Sequence, residues 1–387
     1  MIQKKRKFIY FDHSSTTPLD EGVLQVMLPL LKKQRFNPSA VYGGGQSSAN
    51  HIALARKSIA KKLKIDPKEV FFTSCASESN NLVLKGLAQA NKSSSKNIII
   101  IGPTEHSSVI KTAQFLADNF SYKLIILPCD KTGLVSLSKF KELLSQIYQQ
   151  ILLVSVGFAS SEIGTRQLIE DMADLCMARG VFFHLDATQA VDFFDLSPKD
   201  WGVSAMTLSS HKIYGPSGVG MIYLSNSAKL SPIRHGGGQE KSLVAGTENT
   251  VAIVGFAEAL RISHQLKEAN RIAELTEHLR ERLIAKCPKI IFTGHISFRL
   301  PFHVSIITPG LKSQQLLIKL DLLNIAASAG SACGLGQVSG DEDLFRLGYN
   351  ESEISSALRL TLGRSNDLSD VEEFIDRFSY IYKHDIS

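Results

Sequence analysis

The chain has 387 residues, 44% apolar and 21% charged, enough for a sizeable core and for more than one domain. Its net charge of +6 is modest and spread along the chain, which does not point to a nucleic-acid protein, and no apolar run reaches the roughly 18 residues of a membrane span. Five well-separated cysteines with no Cys-x-x-Cys pair argue against zinc ligation and a disulfide framework, leave at least one thiol free and fit a reducing compartment.

The opening Lys4-Lys5-Arg6-Lys7 reads as a solvated terminus. Only Phe8-Ile9-Tyr10-Phe11 separates it from Asp12, too short for the apolar core of a secretory signal, so a cytoplasmic location is expected. Short β-branched runs then predict strands at 70–73, 97–101, 123–127, 151–156, 181–185, 205–208 and 219–224. Amphipathic stretches at 50–63, 107–119 and 168–179 predict helices between several of them. Strands apolar on both faces and separated by helices imply an α/β fold, with a mostly parallel central sheet flanked by helices. After Gly246 the texture changes. A long charged helical region over 251–287, a strand over 303–307 and a closing helix over 368–382 predict a smaller α+β domain. The expected division is a large domain over 15–250 and a small domain built from 1–14 plus 251–387.

In an open parallel sheet, ligands gather beyond the carboxyl ends of the strands, so the residues just after each strand carry the most information. After the first comes Thr73-Ser74-Cys75-Ala76-Ser77-Glu78-Ser79-Asn80. It suits a phosphate cradle at a helix start, and equally an ordinary capping box. Behind the second is Thr104-Glu105-His106, whose lone histidine has a structural reading as well as a functional one. The fifth leads into His184-Leu185-Asp186-Ala187-Thr188-Gln189, where Asp186 closes an apolar strand and requires a partner; a protonated pyridine nitrogen fits. The sixth leads into Ser209-Ser210-His211-Lys212-Ile213-Tyr214-Gly215-Pro216. A lysine at a strand end, among small and apolar residues, suits covalent attachment to an aldehyde cofactor.

These strings, with His235-Gly236-Gly237-Gly238, Gly246-Thr247-Glu248-Asn249 and Ser328-Ala329-Gly330-Ser331-Ala332-Cys333, occur in one order. Together they resemble the cysteine desulfurases, the NifS/IscS-like branch of the class V aminotransferase-fold proteins. The likeness runs from Tyr10-Phe11-Asp12 to Leu362-Gly363-Arg364, nearly the whole chain. It implies a PLP-dependent transferase of the type I fold, using pyridoxal 5'-phosphate (PLP) to convert L-cysteine to L-alanine. By the resemblance, Lys212 binds the cofactor covalently, His106 stacks on its ring and aids proton transfer, Asp186 pairs with the ring nitrogen, and Gln189 and Ser161 face the ring hydroxyl. Ala76, Ser77, Ser209 and His211 would hold the phosphate, and Thr247 would reach the phosphate of a neighbouring subunit, which implies a homodimer. Arg359 would clamp the substrate carboxylate. Cys333 would take the sulfur as a persulfide and pass it to an acceptor protein, a scaffold or sulfurtransferase, for iron–sulfur assembly or for tRNA or cofactor thiolation. Neither a membrane nor direct nucleic-acid contact is implied.

The glycine-rich setting of Cys333 suits an exposed, reactive thiol, whereas Cys129, Cys176 and Cys287 fall in apolar or helical patterns and read as structural. Three positions depart from the family's pattern: Ser161 replaces an asparagine, Cys75 a glycine and Val244 an arginine. Two rival readings remain at this stage. One is another PLP lyase or transaminase of this fold, selenocysteine lyase-like or kynureninase-like. The other is a weakly active sulfur-trafficking scaffold. A nicotinamide dehydrogenase fits poorly, because the glycine-rich strings at Gly43 and Gly236 do not follow the first strand.

Overall fold

The computed structural model describes residues 7–33, 36–330 and 342–385. Its strands in chain order are β1 (Ile9–Tyr10), β2 (Val70–Thr73), β3 (Ile98–Ile101), β4 (Lys123–Ile126), β5 (Ile151–Gly157), β6 (Phe182–Asp186), β7 (Ala205–Ser209), β8 (Gly220–Leu224), β9 (Ile291–Phe292), β10 (His303–Ile307), β11 (Ile325–Ala326) and β12 (Ala357–Thr361). Seven of them form the central sheet in the order β2-β8-β7-β6-β5-β3-β4. The pairs running from β7 through β6, β5 and β3 to β4 are parallel, and β8 is antiparallel to both of its neighbours.

The four isoleucines of β3 show how the sheet is sealed on both faces. Side chains alternate along a strand, so Ile98 and Ile100 enter one core and Ile99 and Ile101 the other. The first core holds apolar residues of the helices Gly43–Leu63, Leu137–Ile147, Ile169–Met177 and Thr250–Ile262; the second holds those of Ala76–Ala90 and Ser107–Phe120. Each isoleucine removed from water stabilises the fold by roughly 1.5–3 kcal/mol, which explains why these strands read as uninterrupted apolar runs. The edge strand β4 begins instead with an exposed lysine, Lys123.

The C-terminal part is built around β10, antiparallel to β12 on one side and to β9 on the other. The helices Leu266–Lys286 and Leu368–Asp385 pack against each other, and the first of them also packs against β10. The charged helical region expected over 251–287 is found as two helices, Thr250–Ile262 and Leu266–Lys286. His264 between them takes a left-handed conformation (φ 53°), and Lys62 Nζ donates to Ser263 O at 3.0 Å. Across the chain's length, β1 pairs parallel with β11, which delivers the following residues, Asp12 to Ser15, to the carboxyl ends of the central sheet. Among the described residues no helix is long and apolar enough to cross a membrane.

Candidate active site

Strand β7 ends at Ser209 and passes into the short 3-10 turn Ser210–Lys212. The turn closes against Gly215, where a Cβ would lie 2.1 Å from Ser210 Oγ and 3.0 Å from Ser210 O, so a larger residue would displace the Ser210 hydroxyl. Lys212 is turned inward. Its Nζ donates to Ser14 O at 2.5 Å and to Ser15 O at 2.7 Å, and among the described residues no carboxylate pairs with it directly. Burial, helped by the positive charge of Arg359, pushes its amine down to about 8 against the attraction of Glu162, Asp12 and Asp186. A substantial fraction of the amine is therefore neutral near pH 8, the form that attacks a carbonyl.

Asp186 closes β6 in register with Gly157 of β5. Its Oδ2 accepts from Asn80 Nδ2 at 2.7 Å and its Oδ1 from the Thr188 N–H at 3.0 Å. Two residues earlier His184 is fully buried, bonded to Ser155 and Thr207 and held down to about 4 by burial, a neutral structural support. His106 caps the helix Ser107–Phe120, its Nδ1 accepting from the Ser108 N–H at 3.1 Å and lying 2.7 Å from Ser108 Oγ. Burial of its inner side, then the charge of Lys212, lowers His106 below its ordinary value, opposed by Asp186 and Glu162. Gln189 Nε2 donates to Ser14 O at 3.0 Å, the carbonyl that also receives Lys212.

The phosphate-cradle string opens the helix Ala76–Ala90. Cys75 caps it, its Sγ accepting from the Glu78 N–H at 3.4 Å, so the thiol that replaces the expected glycine acts as a cap. Strand β8 runs hard against this helix start: a Cβ on Gly220 would lie 2.7 Å from the Cys75 carbonyl carbon. Ser77 is exposed, and Ser209 Oγ is buried without a hydrogen-bond partner among the described residues. His211 Nδ1 lies 3.1 Å from Thr16 Oγ1, and burial and Lys212 hold the ring down to about 4.

Arg359 on β12 is buried, and its guanidinium is already engaged. Nη1 donates to Glu162 Oε2 (2.7 Å) and Ser161 O (3.2 Å), and Nη2 to Asp12 Oδ1 (3.0 Å) and Ser15 Oγ (2.7 Å). Among the described residues, of its five N–H groups only the one on Nε is without a partner, so a carboxylate bound side-on to this guanidinium would use Nε and displace an acceptor from Nη1 or Nη2. The Ser161 hydroxyl donates to Glu162 Oε1 at 3.1 Å and thus belongs to this network. Ser328 and Arg359 exchange backbone hydrogen bonds, which sets Ser328 beside this arginine. Cys333 itself lies outside the described residues. Thr247 is exposed, and its neighbour Glu248 lines a separate cleft with Arg56, Gly238 and Glu240 rather than the Lys212 cluster.

Sequence reasoning assigned no role to Asn80, Asp12, Glu162 or Glu105, all of which the fold brings to this cluster. The signal for Asn80 was an amide on the same helix face as Leu84 and Leu87, all three buried; a buried amide there requires a polar partner. Glu105 is buried, with Oε1 accepting from the Gly157 N–H at 2.6 Å and Oε2 unpartnered. Burial pushes it from an ordinary 4.5 to about 8; Asp186 and Asp343 add to the rise, while the Gly157 N–H and Arg346 oppose it. A carboxyl raised in the folded state stabilises the fold below its unfolded value and loses that contribution as pH climbs through the folded one. Denaturant midpoints of Glu105→Gln and the parent should therefore diverge in favour of the variant between pH 4.5 and 8. A pH-independent difference would show that Glu105 does not titrate in this window.

The arrangement suits a phosphorylated pyridine aldehyde. It offers a buried, partnerless hydroxyl and an exposed one beside a helix N-terminus, a braced carboxylate at a strand end, and a partly neutral amine beside them. The "Aminotransferase class-V" family model matches residues 9–374. The chain is similar to the protein named cysteine desulfurase IscS of Clostridium botulinum, 36% identical over 384 residues, covering 97% of this chain and 95% of that one. The cysteine desulfurase IscS of Methanosarcina thermophila is 35% identical over 377 residues, covering 97% and 92%. A solved structure titled NifS-like protein superimposes with a TM-score of 0.89 at 30% identity, covering 97% of this chain and all of that one.

Proposed function

Because this chain belongs to the class V aminotransferases, and within them to the PLP-dependent cysteine desulfurases, we propose that Lys212 anchors its cofactor while Cys333 receives sulfur from L-cysteine. The observation that carries the residue assignment is the Lys212 amine, buried at a strand end, bonded to backbone carbonyls alone and held down to about 8. When bound, PLP supplies an electron sink that stabilises negative charge at the substrate's α-carbon. Asp186, braced by Asn80 and Thr188, would hold the ring nitrogen in its protonated form, and His106 would lie on the ring face. Ala76, Ser77, Ser209 and His211 would hold the phosphate, and Gln189 and Ser161 would stand on the side of the ring hydroxyl. Arg359 would orient the substrate carboxylate. Lys212, once free, would move the proton at the α-carbon. The Cys333 thiolate would bond to the substrate sulfur as the Cβ–S bond breaks; the electron pair leaves with Cβ, which takes a proton to become the methyl of alanine, and Cys333 is left as a persulfide.

Residues 15–250 would form the cofactor-binding domain, and 1–14 with 251–387 the smaller domain that carries Cys333. The working unit would be a cytoplasmic homodimer, with Thr247 reaching across to the second cofactor. The persulfide would pass to an acceptor protein serving iron–sulfur assembly or thiolation. Purified, PLP-loaded protein given L-cysteine and a thiol reductant should release alanine and sulfide in equal amounts. Cysteine turnover without alanine would overturn the reading in favour of another lyase of this fold.

A further inference from the structure

Asn80 and Ser108 touch neither substrate nor cofactor in the reading above, yet they join the two groups on either side of the cofactor position. Asn80 is fully buried in the helix Ala76–Ala90, and its Nδ2 donates both to Asp186 Oδ2 at 2.7 Å and to Ser108 Oγ at 2.9 Å. The amide can stand only one way round. A carboxylate accepts and cannot donate, so the NH2 must face Asp186, and the same nitrogen then faces Ser108. Ser108 Oγ, having accepted from Asn80, has its own hydrogen to place, and His106 Nδ1 lies 2.7 Å away. The Ser108 backbone N–H points at the same Nδ1 from 3.1 Å, as the capping bond of the helix Ser107–Phe120.

We propose that Asn80 and Ser108 are positioning residues that fix His106 as its Nε2–H tautomer, so that in the resting site His106 is a hydrogen-bond donor and not a base. Two donors converge on Nδ1, which leaves no room for a proton there. The ring proton therefore sits on Nε2, which has no hydrogen-bond partner among the described residues and belongs to an exposed side chain. Accepting a second proton would require Nδ1 to give up the Ser108 backbone N–H and would force the Ser108 hydroxyl to turn from donor to acceptor. The charged groups that act on the ring are Asp186 and Glu162, which favour protonation, and Lys212, which opposes it. The positive end of the helix that His106 caps opposes it as well. Within the function proposed above, removal of the α-proton then falls to Lys212, while His106 offers Nε2–H as a fixed donor.

The test reads the ring directly. Protein labelled with 15N-histidine, with and without PLP, and with the His106 signals assigned by loss in His106→Gln, should show a non-protonated Nδ1 and a protonated Nε2 near pH 8. Ser108→Ala keeps the backbone N–H but deletes the hydroxyl. It should give a mixture of tautomers, move protonation of the ring to higher pH, and lower kcat for alanine formation about three- to tenfold with KM little changed, as expected for one neutral hydrogen bond. Ser108→Thr, which keeps the hydroxyl, should restore all three. A protonated Nδ1 in the parent protein, or ring shifts in Ser108→Ala identical to the parent's, would overturn the proposal. The parent measurement depends neither on the Ser108 variants folding nor on turnover. The expected tautomer in a protein that makes no alanine would uphold this inference while rejecting the function.

Discussion

Lys212→Ala is expected to abolish alanine formation, with a loss of at least about 10²–10⁴-fold, the usual contribution of one positioned proton-transfer group. Borohydride reduction of the parent, followed by peptide mapping, should place the reduced cofactor on Lys212 and on no other lysine. The expectation rests on what surrounds the amine. Lys7 and Lys64 face the carboxylates of Asp370, Asp367 and Asp195 and are held above their ordinary value, which keeps them charged and unreactive. Lys212 instead lies among backbone carbonyls at the end of β7 and is held down to about 8. Its loss should cost little stability, because Ser14 O still receives Gln189 and the 3-10 turn itself is held by backbone bonds. Label on another lysine, or turnover surviving in Lys212→Ala, would sink the assignment.

Cys333→Ser should bind PLP normally, keep the Lys212 label after borohydride, and yet capture and release no sulfur from L-cysteine. A hydroxyl cannot carry a persulfide, whereas the groups that hold the cofactor are untouched. The other thiols make poor substitutes. Burial pushes Cys176 up to about 12 and Cys287 up to about 11, and burial with Asp130 raises Cys129 as well, so none of the three offers thiolate near neutral pH. Cys75 is tied to the start of the helix Ala76–Ala90 as its cap. Undiminished sulfide release from Cys333→Ser would remove Cys333 as the acceptor and revive the lyase alternative.

Arg359 shows where residue types alone fall short. Sequence resemblance places a guanidinium for a substrate carboxylate, and the fold does bury an arginine at the site. But it also brings Asp12, Glu162 and Ser15 onto the same group, from segments nearly 200 and 350 residues away in the chain. Asn80, Ser108 and His106 make the same point. Each sits in a string that reads as a helix start, yet no pattern within a helix start says that two such helices meet at Asn80, beside Asp186.

What the sequence by itself determined are the features governed by near neighbours. The strand at 70–73 is found as β2, and those read from 97 to 127 as β3 and β4 within a residue, because short runs of apolar and β-branched residues bounded by polar turns are a local signal of strands in a covered sheet. The strand-end positions of Lys212 and Asp186 follow from the same local rule. Only the tertiary structure decided the rest. It placed β8 antiparallel between β2 and β7, and joined β1 to β11 over more than 300 residues. It broke the region over 251–287 at His264, where the chain turns out of one helix so that the next can pack on β10 and the C-terminal helix. Local periodicity carries no information about which surfaces will meet. Strand order, the saturation of Arg359 and the tautomer of His106 depend on contacts between distant segments, whose free energy exists only once the whole core has closed.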